Sequence, residues 1–123
     1  MKTLFAILAG AAVLLALTPQ EERGKDLFDR RCSGCHALDS NKEGPRLRGV
    51  VGRKAGTYAG YHYSEANEKS GITWDEAELK KYLKDPKGVV PGTKMVFPGL
   101  PNEKDIDNVI AYLKQFGPDG KKI

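Results

Sequence analysis

Sulfur and imidazole are scarce in this sequence. Its 123 residues include two cysteines, two histidines and two methionines, one of them Met1. A zinc site takes about four ligands. Beyond Cys32, Cys35 and His36 the remaining histidine, His62, has no second ligand beside it, so zinc is poorly served. Aromatic residues make up 8% of the chain, and no basic cluster is interleaved with them. The charge balance, 20 basic against 16 acidic residues, is +4. That excess is too mild for tight nucleic-acid binding and suits attraction to an acidic surface. There is no strand-like alternation and no internal repeat, so the βαβ surroundings of a thioredoxin-like Cys-x-x-Cys are missing. Nor does any apolar run reach the roughly 20 residues that span a bilayer.

The longest such run, Leu4 to Leu17, follows Lys2 and has the shape of a secretory signal. Ala16-Leu17-Thr18 is followed by Pro19, a poor place to cut, so an uncleaved anchor stays open. Residues 1–18 are read as a signal peptide or N-terminal anchor, and residues 19–123 as one domain. The domain then lies outside the cytoplasm, where two thiols oxidise unless a cofactor already holds them. A chain this small builds a modest core. Its 14 glycines promise much loop, and a cofactor would give those loops something to pack on.

What the sequence does have is Cys32-Ser33-Gly34-Cys35-His36. Cysteines at i and i+3 share one side of a helical turn, and the next residue, a histidine, can face the same way. Two thiols can bond the two vinyl groups of a haem while the imidazole takes one axial site on its iron. A redox disulfide and half of a zinc site are the alternatives at this point. Far downstream, Met95 sits in a loop rich in proline and glycine, residues 86–101. A methionine is usually a gap-filler in a core. Its thioether also suits the second axial position of a haem iron and raises the reduction potential.

Periodicity and caps predict an all-α chain. A first helix spans 20–35, with Glu21 and Glu22 complementing the helix dipole and Gly24, Leu27, Phe28 and Cys32 on one face. Gly24 inside a helix is reasonable only if another element packs closely there. Residues 37–63 form a long looped region with Leu47 and Val51 pointing inward. Arg53, Tyr58, Tyr61 and Tyr63 carry polar tips that could serve a buried anion, although rim packing suits Tyr58 and Tyr61 better. A short helix over 64–70 starts at Ser64 and stops at Gly71. The next begins at a capping box, Thr73 with Glu76, carries Leu79, Tyr82 and Leu83, and ends at Pro86. The last runs from about 102 to 116 behind the N-cap Asn102. Its stripe of Ile106, Val109, Ile110 and Leu113 is core packing and the natural partner of the Gly24/Phe28 face.

With these elements in order, the chain resembles the class I c-type cytochromes, in their mitochondrial-like branch. The resemblance covers nearly all of residues 22–116. It rests on Cys32-Ser33-Gly34-Cys35-His36, Gly44-Pro45-Arg46-Leu47, Gly52-Arg53-Lys54, Gly71-Ile72-Thr73-Trp74 and Pro91-Gly92-Thr93-Lys94-Met95. It implies the cytochrome c fold, in which first and last helices cross and short helices and loops wrap one covalently bound haem c. Cys32 and Cys35 then look like the thioether attachment points, and His36 and Met95 like the axial ligands. Pro45 looks like the residue whose carbonyl fixes the His36 ring. Tyr63 and Trp74 look like donors to one haem propionate, with Arg53 near the other. Asn67, Tyr82 and Thr93 look like the polar surroundings of Met95, and Phe97 like the aromatic over the haem edge. Gly24, Phe28, Val109 and Tyr112 look like the helix crossing.

The activity so implied is one-electron transfer by an exported, monomeric bacterial carrier in the periplasm. It would shuttle between membrane complexes such as a cytochrome bc-type complex and a cytochrome oxidase, in respiration or photosynthesis, and bind no nucleic acid. Lys25, Lys42, Lys54, Lys87 and Lys94 are the candidates for steering it to acidic partners. A six-coordinate iron disfavours substrate chemistry. The rival reading, a small haem peroxidase or gas-binding sensor, requires Met95 to leave. Some positions depart from the family pattern. The stretch from His36 to Gly44 is short, Arg48 stands where many members have histidine, Val50-Val51 replaces a bulkier pair, and Pro98 follows Phe97. None is a ligand position.

Overall fold

A computed structural model describes residues 17–118. The expectations for the leader segment and for the last five residues lie outside that range. Five helices are described: α1 (Pro19–Arg31), α2 (Glu65–Lys69), α3 (Glu76–Lys84), α4 (Pro86–Val89) and α5 (Glu103–Leu113). Among the described residues no helix is long and apolar enough to cross a membrane.

α1 begins one residue earlier than expected, at a capping box. The Thr18 hydroxyl accepts from the Glu21 backbone N–H at 3.2 Å, and the Glu21 carboxylate accepts from the Thr18 N–H at 2.9 Å. Pro19 occupies the first turn, where its missing N–H costs nothing. The helix also ends earlier than expected, at Arg31. Cys32 to His36 form a tight turn instead. The Cys32 and Ser33 N–H groups both donate to the Phe28 carbonyl at 2.9 Å, and the His36 N–H donates to the Cys32 carbonyl at 2.9 Å.

α1 and α5 cross at Gly24. A Cβ there would lie 1.9 Å from the Asn108 carbonyl oxygen and 2.9 Å from the Tyr112 Cβ. Beside this contact the Phe28 and Tyr112 rings pack at 5.6 Å, and Phe116 meets Tyr112 edge-on at 5.1 Å. The obstacle to a larger residue is backbone, which cannot swing aside. Gly24→Val is therefore expected to destabilise the fold by about 3 kcal/mol or more, read as a lower denaturation midpoint. A Gly24 variant of wild-type stability would show that the two helices do not meet this closely.

α3 starts at Asp75, whose side chain accepts from the Glu78 N–H at 2.8 Å. The Thr73–Glu76 box is thus a misreading. Thr73 is occupied elsewhere, in an isolated antiparallel bridge to Lys54. Around that bridge the Trp74 N–H donates to the Arg53 carbonyl, the Ala55 N–H to Ile72 and the Gly52 N–H to Trp74, all between 2.7 and 2.8 Å. This pairing ties the long loop to the start of α3. Ser64 and Asn102 cap α2 and α5 as expected. Residues 86–101 are not all loop: Asp85 caps the one-turn α4, with Pro86 at its first position. In the 37–63 region Val50 and Ala55 are the buried hydrophobic residues, 4% and 3% exposed; Leu47 and Val51 are partly buried against the core, and Leu47 turns toward the cleft.

Candidate functional site

The described chain wraps a cleft of about 690 Å³, within the range that holds cofactors and drug-sized ligands. Its walls are mainly apolar. Phe28 of α1, Leu79 and Leu83 of α3, Val109 and Leu113 of α5, and Val50 of the loop all line it. The α5 stripe, read from sequence as core alone, thus has a second face toward the cleft. Helical periodicity shows that a residue is turned inward and cannot tell a neighbour's side chain from a ligand.

Cys32, Cys35, His36 and Met95 all line this one cleft, though they come from opposite ends of the chain. Both thiols are free; Cys32 is partly buried and Cys35 exposed. Burial pushes the Cys32 thiol up to about 11, against the pull of the Arg31 charge. It therefore remains a thiol at neutral pH. The His36 Nδ1 lies 2.8 Å from the Pro45 carbonyl oxygen. A carbonyl only accepts, so Nδ1 carries the proton and Nε2 keeps a free lone pair. Burial lowers the His36 pKa, partly countered by the Pro45 bond, which keeps the ring neutral and able to ligate. Gly44 makes room for this ring: a Cβ there would stand 2.3 Å from the His36 Cε1.

On the Met95 side, the Thr93 hydroxyl oxygen accepts from the Met95 backbone N–H at 3.2 Å and lies 3.1 Å from the Tyr82 hydroxyl. Burial raises the Tyr82 pKa, so the phenol stays protonated. Asn67 lines the cleft too, and its Oδ1 is buried without a hydrogen-bond partner. Buried orphan acceptors are rare and call for an explanation. Arg53, Tyr63, Trp74 and Phe97 also line the cleft. Trp74 is buried and packs on Tyr82 at 4.7 Å. The Arg31 guanidinium stands 5.4 Å from the Phe97 ring, joining the Met95 loop to the end of α1.

Tyr61, read from sequence as rim packing, also lines the cleft, and its hydroxyl donates to the Glu43 carbonyl at 2.5 Å. Of the five candidate lysines only Lys94 lines the cleft. Its Nζ donates to the His62 carbonyl and stands 4.5 Å from the Tyr61 ring centroid. Lys25 pairs with Asp29 at 2.8 Å, and Lys42 donates to the Ser33 carbonyl at 2.7 Å. Lys54 and Lys87 are exposed. Among the described residues no group of three or more Cys, His, Asp or Glu side chains comes together to hold a bare metal ion.

Two thiols, one neutral imidazole, one thioether and unspent polar groups around an apolar slot form a donor set that suits haem. Comparisons with known proteins agree. The family model described as cytochrome c matches residues 21–117. A cytochrome c2 from Rhodoplanes tepidamans is 57% identical over 96 residues, covering 76% of this chain and 90% of that protein. A cytochrome c2 from Blastochloris viridis is 40% identical, with 98% of each chain covered. Among solved structures, cytochrome cH from Methylobacterium extorquens matches with a TM-score of 0.75 at 52% identity, over 77% of this chain and 97% of that one.

Proposed function

The chain belongs to the cytochrome c family, and from that premise we propose that Cys32 and Cys35 attach its haem and that His36 and Met95 are the axial ligands of the iron. The protein is a one-electron carrier with one covalently bound haem c, not an enzyme, and it passes electrons between redox complexes. When bound, the haem supplies an iron that gains and loses a single electron.

Each residue's part follows from its chemistry. Pro45 holds the His36 tautomer that offers Nε2 and makes the ring a stronger donor. Thr93, bonded to both the Met95 backbone and Tyr82, keeps the thioether in place. Phe28, Leu79, Leu83, Val109 and Leu113 exclude water. A dry, His/Met-ligated site favours the reduced state and a high potential. Arg53, Tyr63 and Trp74 serve the propionates, Asn67 and Tyr82 stand on the Met95 side, and Phe97 covers the edge. Partners are acidic membrane complexes, of the bc and oxidase kind, met through the cleft's mouth near Lys94. Lys25 is paired with Asp29 and contributes less to this steering. The leader exports the chain to the periplasm.

The observation that carries this reading is the convergence of Cys32, Cys35, His36 and Met95 on one apolar cleft. The test is the spectrum of the reduced haem in alkaline pyridine after denaturation. A c-type spectrum from haem that stays with the chain is expected. Free haem in the supernatant would defeat the assignment of the two cysteines.

A further inference from the structure

Three arginines, Arg46, Arg48 and Arg53, follow the cleft's histidine side, and none belongs to an ion pair among the described residues. Two of them share one aromatic ring. The Arg46 Cζ stands 4.4 Å from the Tyr58 ring centroid and the Arg53 Cζ 3.3 Å from it. Like charges this close repel. The ring's negative face attracts each of them and offsets that repulsion. Their remaining contacts point away from any acid. Arg46 Nη1 donates to the Ala59 carbonyl at 3.4 Å and Arg53 Nη1 to the Arg48 carbonyl at 3.2 Å. The Nε atoms of all three arginines are buried without partners, and so is the Tyr58 hydroxyl.

Tyr58 favours the Arg53 charge through its nearby hydroxyl, and its ring face is the contact that both guanidiniums share. Two cations gathered on that ring with no carboxylate nearby leave positive charge unanswered, and burial, the main influence on Arg53, opposes its ionisation. Of the three arginines only Arg53 lines the cleft. The Tyr58 backbone N–H donates to the Tyr63 hydroxyl oxygen at 3.1 Å. That bond leaves the phenol's own proton free, and Tyr63 also lines the cleft. Tyr58 thus anchors two groups that present unspent donors to the same space.

We propose that Tyr58 is a positioning residue that holds the Arg53 guanidinium against the haem carboxylates and thereby raises the reduction potential. The inference rests on the cleft holding haem c as read above. The physical reason is charge. Oxidised iron carries one more positive charge than reduced iron. A cation fixed near the group opposes oxidation, and it also neutralises carboxylates that would favour it. An Arg53 that wanders into solvent is screened and does neither.

The test is the equilibrium midpoint potential of the holoprotein in a double-mutant cycle. Tyr58→Leu keeps the backbone bond to Tyr63 and removes only the ring's face. It is expected to lower the midpoint, in the same direction as Arg53→Gln and by no more. Tyr58→Phe is expected to keep the wild-type value. Adding Tyr58→Leu to Arg53→Gln is expected to shift the midpoint no further. An unchanged midpoint in Tyr58→Leu, or the same shift with and without Arg53, would overturn the proposal. Should Tyr58→Leu fail to fold, Tyr58→Met, which also removes the ring, carries the cycle: its shift shrinks when Arg53 is already gone, and an undiminished shift refutes positioning. Failure of the underlying reading looks different, because the wild-type protein would then lack covalent haem altogether.

Discussion

Met95→His is expected to lower the midpoint potential by on the order of a few hundred millivolts, because axial ligands tune haem potentials over about 0.8 V. A thioether is a soft, weak donor and favours the reduced iron. An imidazole donates more strongly and favours the oxidised iron. The surroundings are prepared to keep the substitution local. Thr93 accepts from the backbone N–H of residue 95, and that bond does not depend on the side chain. Tyr82 is buried and holds Thr93 in turn. Haem content should be unchanged, since both thiols are untouched. Spectroelectrochemical titration gives the answer directly. A potential within a few tens of millivolts of wild type would mean that Met95 does not ligate the iron. Met95→Ala is the companion variant: added imidazole should bind its haem, and should not bind the wild type if His36 and Met95 fill both axial positions.

The double substitution Cys32→Ser with Cys35→Ser is expected to abolish covalent attachment. Haem should partition entirely into acidified butanone, whereas in the wild type it stays with the protein. Each single variant retains one thioether and keeps its haem through extraction. The stability effect should also be large. The cleft of about 690 Å³ is lined by Phe28, Val50, Leu79, Leu83, Val109 and Leu113, residues that also form the core. Without the group these side chains would surround a void or water, and core voids are costly. A covalent ligand cannot dissociate, so it stabilises the fold at any dilution; a reversibly held one stabilises it only by mass action. The double variant should therefore melt well below wild type, at a temperature that depends on added haem. A haem-free variant with the wild-type melting temperature would show that the core is complete without the cofactor.

Much of this was legible in the sequence, for a local reason in each case. The α5 stripe and its Asn102 cap depend on residues within a few positions of one another, and helical periodicity reads such patterns well. Gly24 announced a close approach, and the Asn108 carbonyl occupies it. The Pro45 contact to His36 could be named because the segment between them resembles a known one. Local reading failed where two candidates competed. Thr73 and Asp75 can both cap α3, and the choice fell to Asp75 because the Thr73 backbone is drawn into the bridge with Lys54, nineteen positions back in the chain. Val50 and Val51 are equally apolar, and only the path of the loop decides which one faces inward. The Thr18 cap is masked in the sequence because it sits at the end of the leader's apolar run.

The sequence by itself determined the chemistry of this protein. The spacing within Cys32-Ser33-Gly34-Cys35-His36, the placement of Met95 and the capped, periodic helices, taken with the resemblance of its ordered motifs to class I c-type cytochromes, point to a haem-bearing all-α chain, because covalent spacing and helical period are properties of neighbouring residues. The tertiary structure decided what is made across distance: the pairing of residues 52–55 with 72–74, the double use of α5 as core and cleft wall, and the meeting of Arg46 and Arg53 on Tyr58. Those contacts join segments whose approach depends on how loops close. Loop closure follows from the packing of the whole chain, so no local pattern encodes it.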